Sequence, residues 1–309
     1  MASEYLHVNS SDLRALAADV IDRTSAKPFG VYVFASDEPG AELARHVERA
    51  VFQEAFGNSP DLLAREYGPY DRSSLFFCVV DHRRRLPAGM MRVILPSATT
   101  GPATGPGAGS KSVHDLERVW GEPADEVFQR SGATLDRDRV WDVATLAVGA
   151  DYRTVAARGL VSLALNQALI VTLGRYGIRQ VVTILDLAVL RLLQWQLGKP
   201  FSMLRGLVPM PYLGSGASVP VWSDLVTWRP QLARDNPTIY DLLFEGRGIE
   251  AAVAGADWES VVRRVAAVGG GGGSRPEPAG YAISLDPDPL AASMRSSRAG
   301  TFSAATGRE

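Results

Sequence analysis

The spacing of hydrophobic positions changes several times along the chain, and each change predicts an element. Leu13, Leu16, Ala17, Val20 and Ile21 recur at intervals of three and four behind Ser10 and Ser11, whose hydroxyls can cap a helix. Pro28 and Gly30 break that pattern, and residues 31–35 are rich in β-branched and aromatic side chains, which predicts a strand. Ser36, Asp37, Glu38 and Pro39 then form a helix start, followed by Leu43, Val47, Ala50 and Val51 at helical spacing. Two apolar runs, 75–81 and 88–95, flank the charged turn His82, Arg83, Arg84 and Arg85 and predict a hairpin. Residues 140–148 give the clearest buried strand. Residues 151–173 are apolar almost all round, so a helix there must be covered on more than one side. A strand at 181–185 and a helix at 187–197, stopping at Gly198, follow. Beyond them, 201–228 carries irregular and strand-like segments, and 237–244 and 257–267 read as helical.

Glycine and proline punctuate this pattern. Residues 96–112 form a low-complexity loop, expected to be a mobile insert, with a short helix at 112–120 after it. Its Gly105, Gly107 and Gly109 lack the spacing of a phosphate loop, and Pro106 interrupts them. Residues 269–309 open on five glycines and stay rich in Pro, Ser and Gly, too polar to offset the entropy of ordering. The expected organisation is an N-terminal helix (1–27), an α/β domain (28–211), a C-terminal extension packed on it (212–268) and a disordered tail (269–309).

Composition narrows the function classes. With 46% hydrophobic and 21% charged residues in 309, a sizeable core is available. A net charge of −2 supplies no basic excess for a nucleic-acid backbone. The single cysteine, Cys78, rules out an internal disulfide and sits in an apolar run, as a small buried hydrophobe would. The N-terminal residues carry too many charges for a secretory signal. The longest charge-free stretch, 159–174, is shorter than the ~20 residues a membrane span needs. These readings together point to a soluble cytoplasmic protein. The four histidines are scattered, so no metal site is expected.

The most informative stretch for chemistry is 141–159. A buried strand passes through Gly149 into a predicted helix whose first turn would present unpaired N–H groups and a positive dipole end. Such an end binds phosphate or diphosphate. Ala156, Ala157 and Gly159 leave room for a bulky ligand, and Arg153 or Arg158 can add a charged contact. An ordinary helix start with solvated arginines is the alternative. A second strand–helix unit follows at once and ends its strand at Asp186, itself a candidate site residue or a helix cap. Two such units in succession suggest neighbouring strands that splay apart, leaving a cleft for a linear ligand such as a pantetheine arm. Trp141, Trp195 and Trp222 are either lining for an acyl tunnel or core residues, and core is the preferred reading.

The order of elements resembles the GNAT superfamily of N-acyltransferases. Residues 146–154, LAVGADYRT, resemble its coenzyme A motif, and 185–201, ending in Gly198, Lys199, Pro200 and Phe201, resemble its later segment. Within it the pattern is most similar to acyl-homoserine-lactone synthases and long-chain N-acyl amino acid synthases. Val51 and Phe52, then Tyr70 and Asp71, then FFCVVD at 76–81, GMMRVILP at 89–96, and Trp141 with Asp142 carry that likeness across roughly residues 28–211. The resemblance implies a mixed-sheet α/β fold of GNAT type. It also implies transfer of an acyl group from a thioester, on coenzyme A or the phosphopantetheine of an acyl carrier protein, to an amine such as an amino acid. Val148, Arg153, Thr154, Val155, Ala156, Ala157, Arg158 and Gly159 would then hold the donor.

No covalent intermediate is needed for such a reaction; positioning, oxyanion stabilisation and amine deprotonation suffice. Asp142 is the candidate for amine binding or proton removal. An ordinary Asp titrates near ~3.9, so it would need a raised pKa or a relay. The alternative for Asp142 is a structural pairing with Arg92. Asp71 is a second amine-binding candidate or a loop cap, and Arg92 would orient either aspartate or meet a substrate carboxylate. The chain departs from the synthases at Asp142, where they have Glu, at Thr145, where the lactone synthases have Arg, and in its reduced glycine turn. These departures argue against lactone synthesis, and they also fit a catalytically silent acyl-thioester-binding module.

Overall fold

The computed structural model describes residues 10–21, 25–96, 110–153 and 159–254. A nine-stranded mixed sheet runs through them. Its strands are β1 (Phe29–Ala35), β2 (Ser74–Asp81), β3 (Leu86–Ile94), β4 (Trp141–Val148), β5 (Gln180–Asp186), β6 (Ser202–Met203), β7 (Met210–Tyr212), β8 (Ser215–Asp224) and β9 (Val253–Ala254), in the order β6-β8-β5-β4-β3-β2-β1-β9, with β7 also on β8. β1 to β4 pair antiparallel in succession, β4 and β5 are parallel, and β5 and β8 are antiparallel. The mixed α/β fold expected from sequence is present.

β2 shows why the central strands read as continuous apolar runs. Leu75, Phe77 and Val79 enter one core, and Phe76, Cys78 and Val80 enter another on the opposite face. A strand buried on both faces has no polar side to alternate with. Burial pushes the Cys78 thiol pKa up, so it behaves as a hydrophobe. The first core lies under α6 (Leu160–Arg175), with α7 (Leu187–Leu197), α8 (Leu225–Asp235) and α9 (Pro237–Phe244) contributing. The second lies under α1 (Ser10–Val20) and α2 (Ala41–Phe56). A third joins α4 (Lys111–Asp115) and α5 (Ala124–Arg130) to Val140 and Val182. A short α3 (Pro60–Tyr67), capped by the Ser59 hydroxyl, precedes β2. No helix among the described residues is long and apolar enough to cross a membrane.

Several boundaries differ from expectation. The helix predicted at 151–173 begins at Leu160: Ala150–Tyr152 form a 3-10 turn, and Gly159 adopts φ 69°. A right-handed helix does not run through a left-handed residue, so Gly159 ends the path from β4 and starts a new element. Helix α2 opens at Ala41, because Glu38 accepts the Ala35 amide at 2.6 Å and holds the preceding turn. Ser110, Lys111 and Ser112, expected in a mobile loop, are buried at the start of α4. The boundary expected near 211 falls inside β7, and β8 pairs with the whole of β5 through Ser218–Asp224. The disordered tail (269–309), the helix at 257–267 and most of the loop at 96–112 lie outside the described residues.

Close approach of α6 to β3 depends on Gly89. A Cβ there would collide with Val161 Cγ1 and lie 3.1 Å from the Ala147 carbonyl oxygen. Gly89→Ala is expected to cost about 1–3 kcal/mol through overpacking, measured as a lower urea midpoint at unchanged m-value.

Candidate functional site

Parallel strands β4 and β5 pair at only two positions, Trp141–Val181 and Asp142–Val182. The Thr183 hydroxyl donates to the Val143 carbonyl at 2.7 Å, and past that tie the strands part. The gap is a cleft that opens to solvent at its mouth. Val143, Ala144, Thr145 and Leu146 form one wall and Thr183, Ile184, Leu185 and Asp186 the other. Asn166, Leu169 and Leu193 close it from the α6 face, and Phe52, Phe56 and Tyr67 from the α2 face, so it passes through the sheet.

The wall of β4 is irregular. Arg92 of β3 faces Thr145 and Val93 faces Val143, so Ala144 is an extra residue bulged out of the ladder. The cleft is apolar towards α6. There it shares Asn166, Leu169 and Phe201 with a smaller side chamber lined by Leu173, Leu197, Trp228 and Leu243.

The end towards α2 sets polar groups beside Phe52 and Phe56. Tyr67, Lys111, Ser112, Thr145 and Tyr212 reach it. Lys111 pairs with Asp115, and its Nζ lies 2.9 Å from the Tyr212 hydroxyl, which donates to Asp115 at 2.6 Å. Burial opposes ionisation of Asp115, but the Lys111 ammonium together with the hydrogen bonds from Lys111, Tyr212 and Arg118 outweighs it and holds the pKa below the usual range. Burial pushes Tyr67 and Tyr212 upward, so both phenols stay protonated.

Asp71 and Arg92 come together as expected, in a larger network. Arg92, 2% exposed, donates through Nε and Nη2 to Glu48 at 3.0 and 2.6 Å and through Nη1 to Asp71 at 3.0 Å. Arg45 holds the other Asp71 oxygen at 2.7 Å, and the Thr145 hydroxyl donates to Glu48 at 2.6 Å. Burial works against the Arg92 charge, but Glu48 and Asp71 more than offset it and raise its pKa.

Asp142 does not pair with Arg92. Fully buried, it accepts the Ser112 hydroxyl at 2.7 Å on Oδ1, and the Ser112 amide at 2.6 Å and Ser110 hydroxyl at 3.0 Å on Oδ2. Desolvation pushes its pKa up to about 6, against the pull of the Ser112 and Ser110 hydrogen bonds and Lys111.

Of the expected donor-binding set, Thr154, Val155, Ala156, Ala157 and Arg158 lie outside the described residues. Val148 ends β4. The Arg153 guanidinium turns back on the Val148 carbonyl at 2.6 Å and on Glu54 at 3.3 Å. Gly159 caps α6, and a Cβ there would sit 2.7 Å from Gln196 Nε2. Asp186 caps α7 through the Ala188 and Val189 amides. Trp141 is core, Trp222 packs on Phe128, and Trp195, expected in the core, is 83% exposed; none of the three lines the cleft. Among the described residues no group of His, Cys, Asp and Glu is placed to hold a metal.

Glu48, Tyr67, Lys111, Ser112 and Tyr212 were not singled out from sequence. Only Glu48 left a signal, a carboxylate one turn beyond Ala44 on the apolar face of α2. Lys111 and Ser112 were hidden at the edge of a low-complexity stretch.

No family model and no characterised protein matches the chain in sequence. Among solved structures it is similar to a CoA-dependent acyl-homoserine lactone synthase, BjaI, with MTA, at 16% identity and TM-score 0.48, over 76% of this chain and 97% of that one. It is similar to FeeM, an N-acyl amino acid synthase from uncultured soil microbes, at 14% identity and TM-score 0.47, over 68% and 97%. It is also similar to an N-acetyltransferase of Lactobacillus plantarum described as putative, at 14% identity and TM-score 0.40, over 63% and 99%.

Removing the Arg92 side chain would leave Glu48 buried without its cation. Arg92→Met is expected to destabilise the fold by about 3–5 kcal/mol. Joint replacement of Arg92 and Glu48 by Met is expected to recover part of that loss, both read from denaturant midpoints.

Proposed function

We propose that the chain is an N-acyltransferase that moves an acyl group from a thioester to an amine. The observation that supports this most is the through-sheet cleft between β4 and β5, apolar at one end, with polar groups at the other and bounded by an irregular strand edge. Beyond residue 142, β4 has no ladder partner in β5. A pantetheine arm carries amide groups that can add to such an edge as a strand would. Backbone N–H groups at the Ala144 bulge are then candidates to receive the carbonyl oxygen as negative charge develops on it.

In this reading the donor thioester enters beside Val148, Arg153 and Gly159, on coenzyme A or a carrier protein. The acyl chain extends along Leu169 towards the side chamber. The acceptor amine, which the polar groups Tyr67, Lys111, Ser112 and Tyr212 surround, attacks from the opposite face. Arg92 and Asp71 act as supports: through Glu48 they fix Thr145 beside the reacting carbonyl. Asp142 takes the proton.

The deciding experiment mixes the protein with acetyl-CoA, decanoyl-CoA and each amino acid, and follows thiol release and amide mass. Release dependent on an amino acid is expected. Thermal stabilisation by decanoyl-CoA without release would mark a silent binding module, and neither effect would sink the reading. Leu169→Trp, which narrows the passage to the chamber, is expected to lower kcat/KM for decanoyl-CoA relative to acetyl-CoA by at least about tenfold, since each buried methylene contributes ~0.8 kcal/mol.

A further inference from the structure

Asp142 is sealed from the cleft, yet burial raises its pKa to about 6. Its hydrogen-bond donors are Ser110 and Ser112, and of these two only Ser112 also lines the cleft. The Ser112 hydroxyl is directed at Asp142 Oδ1 at 2.7 Å. With its hydrogen committed there, the lone pairs of the oxygen are left to accept. Ser112 is also held by its own backbone, whose N–H donates to Oδ2 of the same carboxylate at 2.6 Å. A serine held to one buried base by both its hydroxyl and its backbone N–H, on the wall of the cleft, is placed to carry a proton rather than to bind one.

We propose that Ser112 is a catalytic proton relay between the acceptor amine and Asp142. This rests on the acyl-transfer reading of the cleft. As the amine nitrogen bonds to the thioester carbon, its N–H proton passes to Ser112 Oγ while the Oγ proton passes to Asp142 Oδ1. The carbonyl electron pair moves onto oxygen, then returns as the C–S bond breaks and the thiolate leaves. The thiolate takes the proton back from Asp142 through the same hydroxyl, so the amide and thiol are neutral and the dyad is restored.

The base must be ionised to act. Its pKa near 6 is set by burial, by the serine hydrogen bonds and by Lys111 on α4, while Tyr67 from α3, Tyr70 from the turn after it and Tyr212 from β7 face it as neutral phenols. At saturating acceptor, kcat is therefore expected to show a limb at about pH 6 from ionisation of Asp142, distinct from the later rise as the acceptor amine itself loses its proton.

The test uses the full chain, decanoyl-CoA and the amino acid found to react best. Ser112→Ala is expected to lower kcat by about 10²–10⁴-fold and abolish the limb near pH 6, with decanoyl-CoA binding by calorimetry unchanged. Ser112→Thr, which keeps the hydroxyl, is expected to restore most of the rate and the limb. A Ser112→Ala protein that keeps both kcat and the limb would overturn the relay while leaving the transferase intact. A second readout needs no variant: two protons in flight give the wild-type rate a curved dependence on the deuterium fraction of the solvent, and a straight line would also overturn it. Failure of the wild-type protein to release thiol with any amino acid would overturn the transferase reading itself.

Discussion

The whole site depends on how briefly β4 and β5 stay together. Parallel strands normally exchange evenly spaced hydrogen bonds along their length, but here the ladder lasts two residues. Beyond it, the Thr183 hydroxyl spends its hydrogen on the Val143 carbonyl in place of the next rung. Each strand has a full-length neighbour on its far side, β3 for β4 and β8 for β5. Those neighbours keep the diverging halves rigid, so the separation is a feature of the sheet and not a frayed edge. The bulge at Ala144 adds local twist on one wall. A cleft with two strand walls and helices over both faces follows from these pairings alone.

A hole through a sheet invites water into the core, and the charged groups manage that problem. The Arg92 guanidinium meets Glu48 with two nitrogens and Asp71 with the third, and its carbon lies 4.6 Å from the Phe76 ring centre and 5.0 Å from that of Tyr67. Every face of the cation is matched, as burial of an ion requires. Lys111 is treated the same way by Asp115, Tyr212 and Tyr67. The two clusters share Tyr67, whose ring lies 5.0 Å from each cation. Polar groups at this end of the cleft are therefore positioned by one connected set of contacts, drawn from α2, α3, β3, α4 and β7.

Much of this was legible in the sequence. Runs such as 75–80 declare doubly buried strands, because no polar residue interrupts them. The splay of β4 and β5 followed from two strand–helix units in succession. Asp71 and Arg92 were singled out through the motifs that carry them, and their pairing is present. Other features left no local trace. The start of α6 was misplaced because apolar periodicity cannot show that Gly159 takes a left-handed conformation. β8 was unclear because Gly216 and Pro220 break its alternation, although β5 pairs with it from Ser218 to Asp224. Ser112 and Tyr212 sit far apart in sequence, beside uninformative segments. Only the sheet brings them to one end of the cleft.

A base facing the open cleft would be hydrated, and water would hold its pKa near the ordinary aspartate value. Asp142 is instead fully buried, which raises its pKa, and it remains in reach through one hydroxyl. In the proposed relay, a base one residue behind the wall would reconcile two demands that conflict for an exposed carboxylate: enough basicity to accept a proton near neutral pH, and proximity to the reacting amine. The cost is that α4 must be held rigidly. That accounts for the concentration of contacts on its first turn, where Ser110 and Ser112 bind Asp142 and Lys111 binds Asp115 and Tyr212.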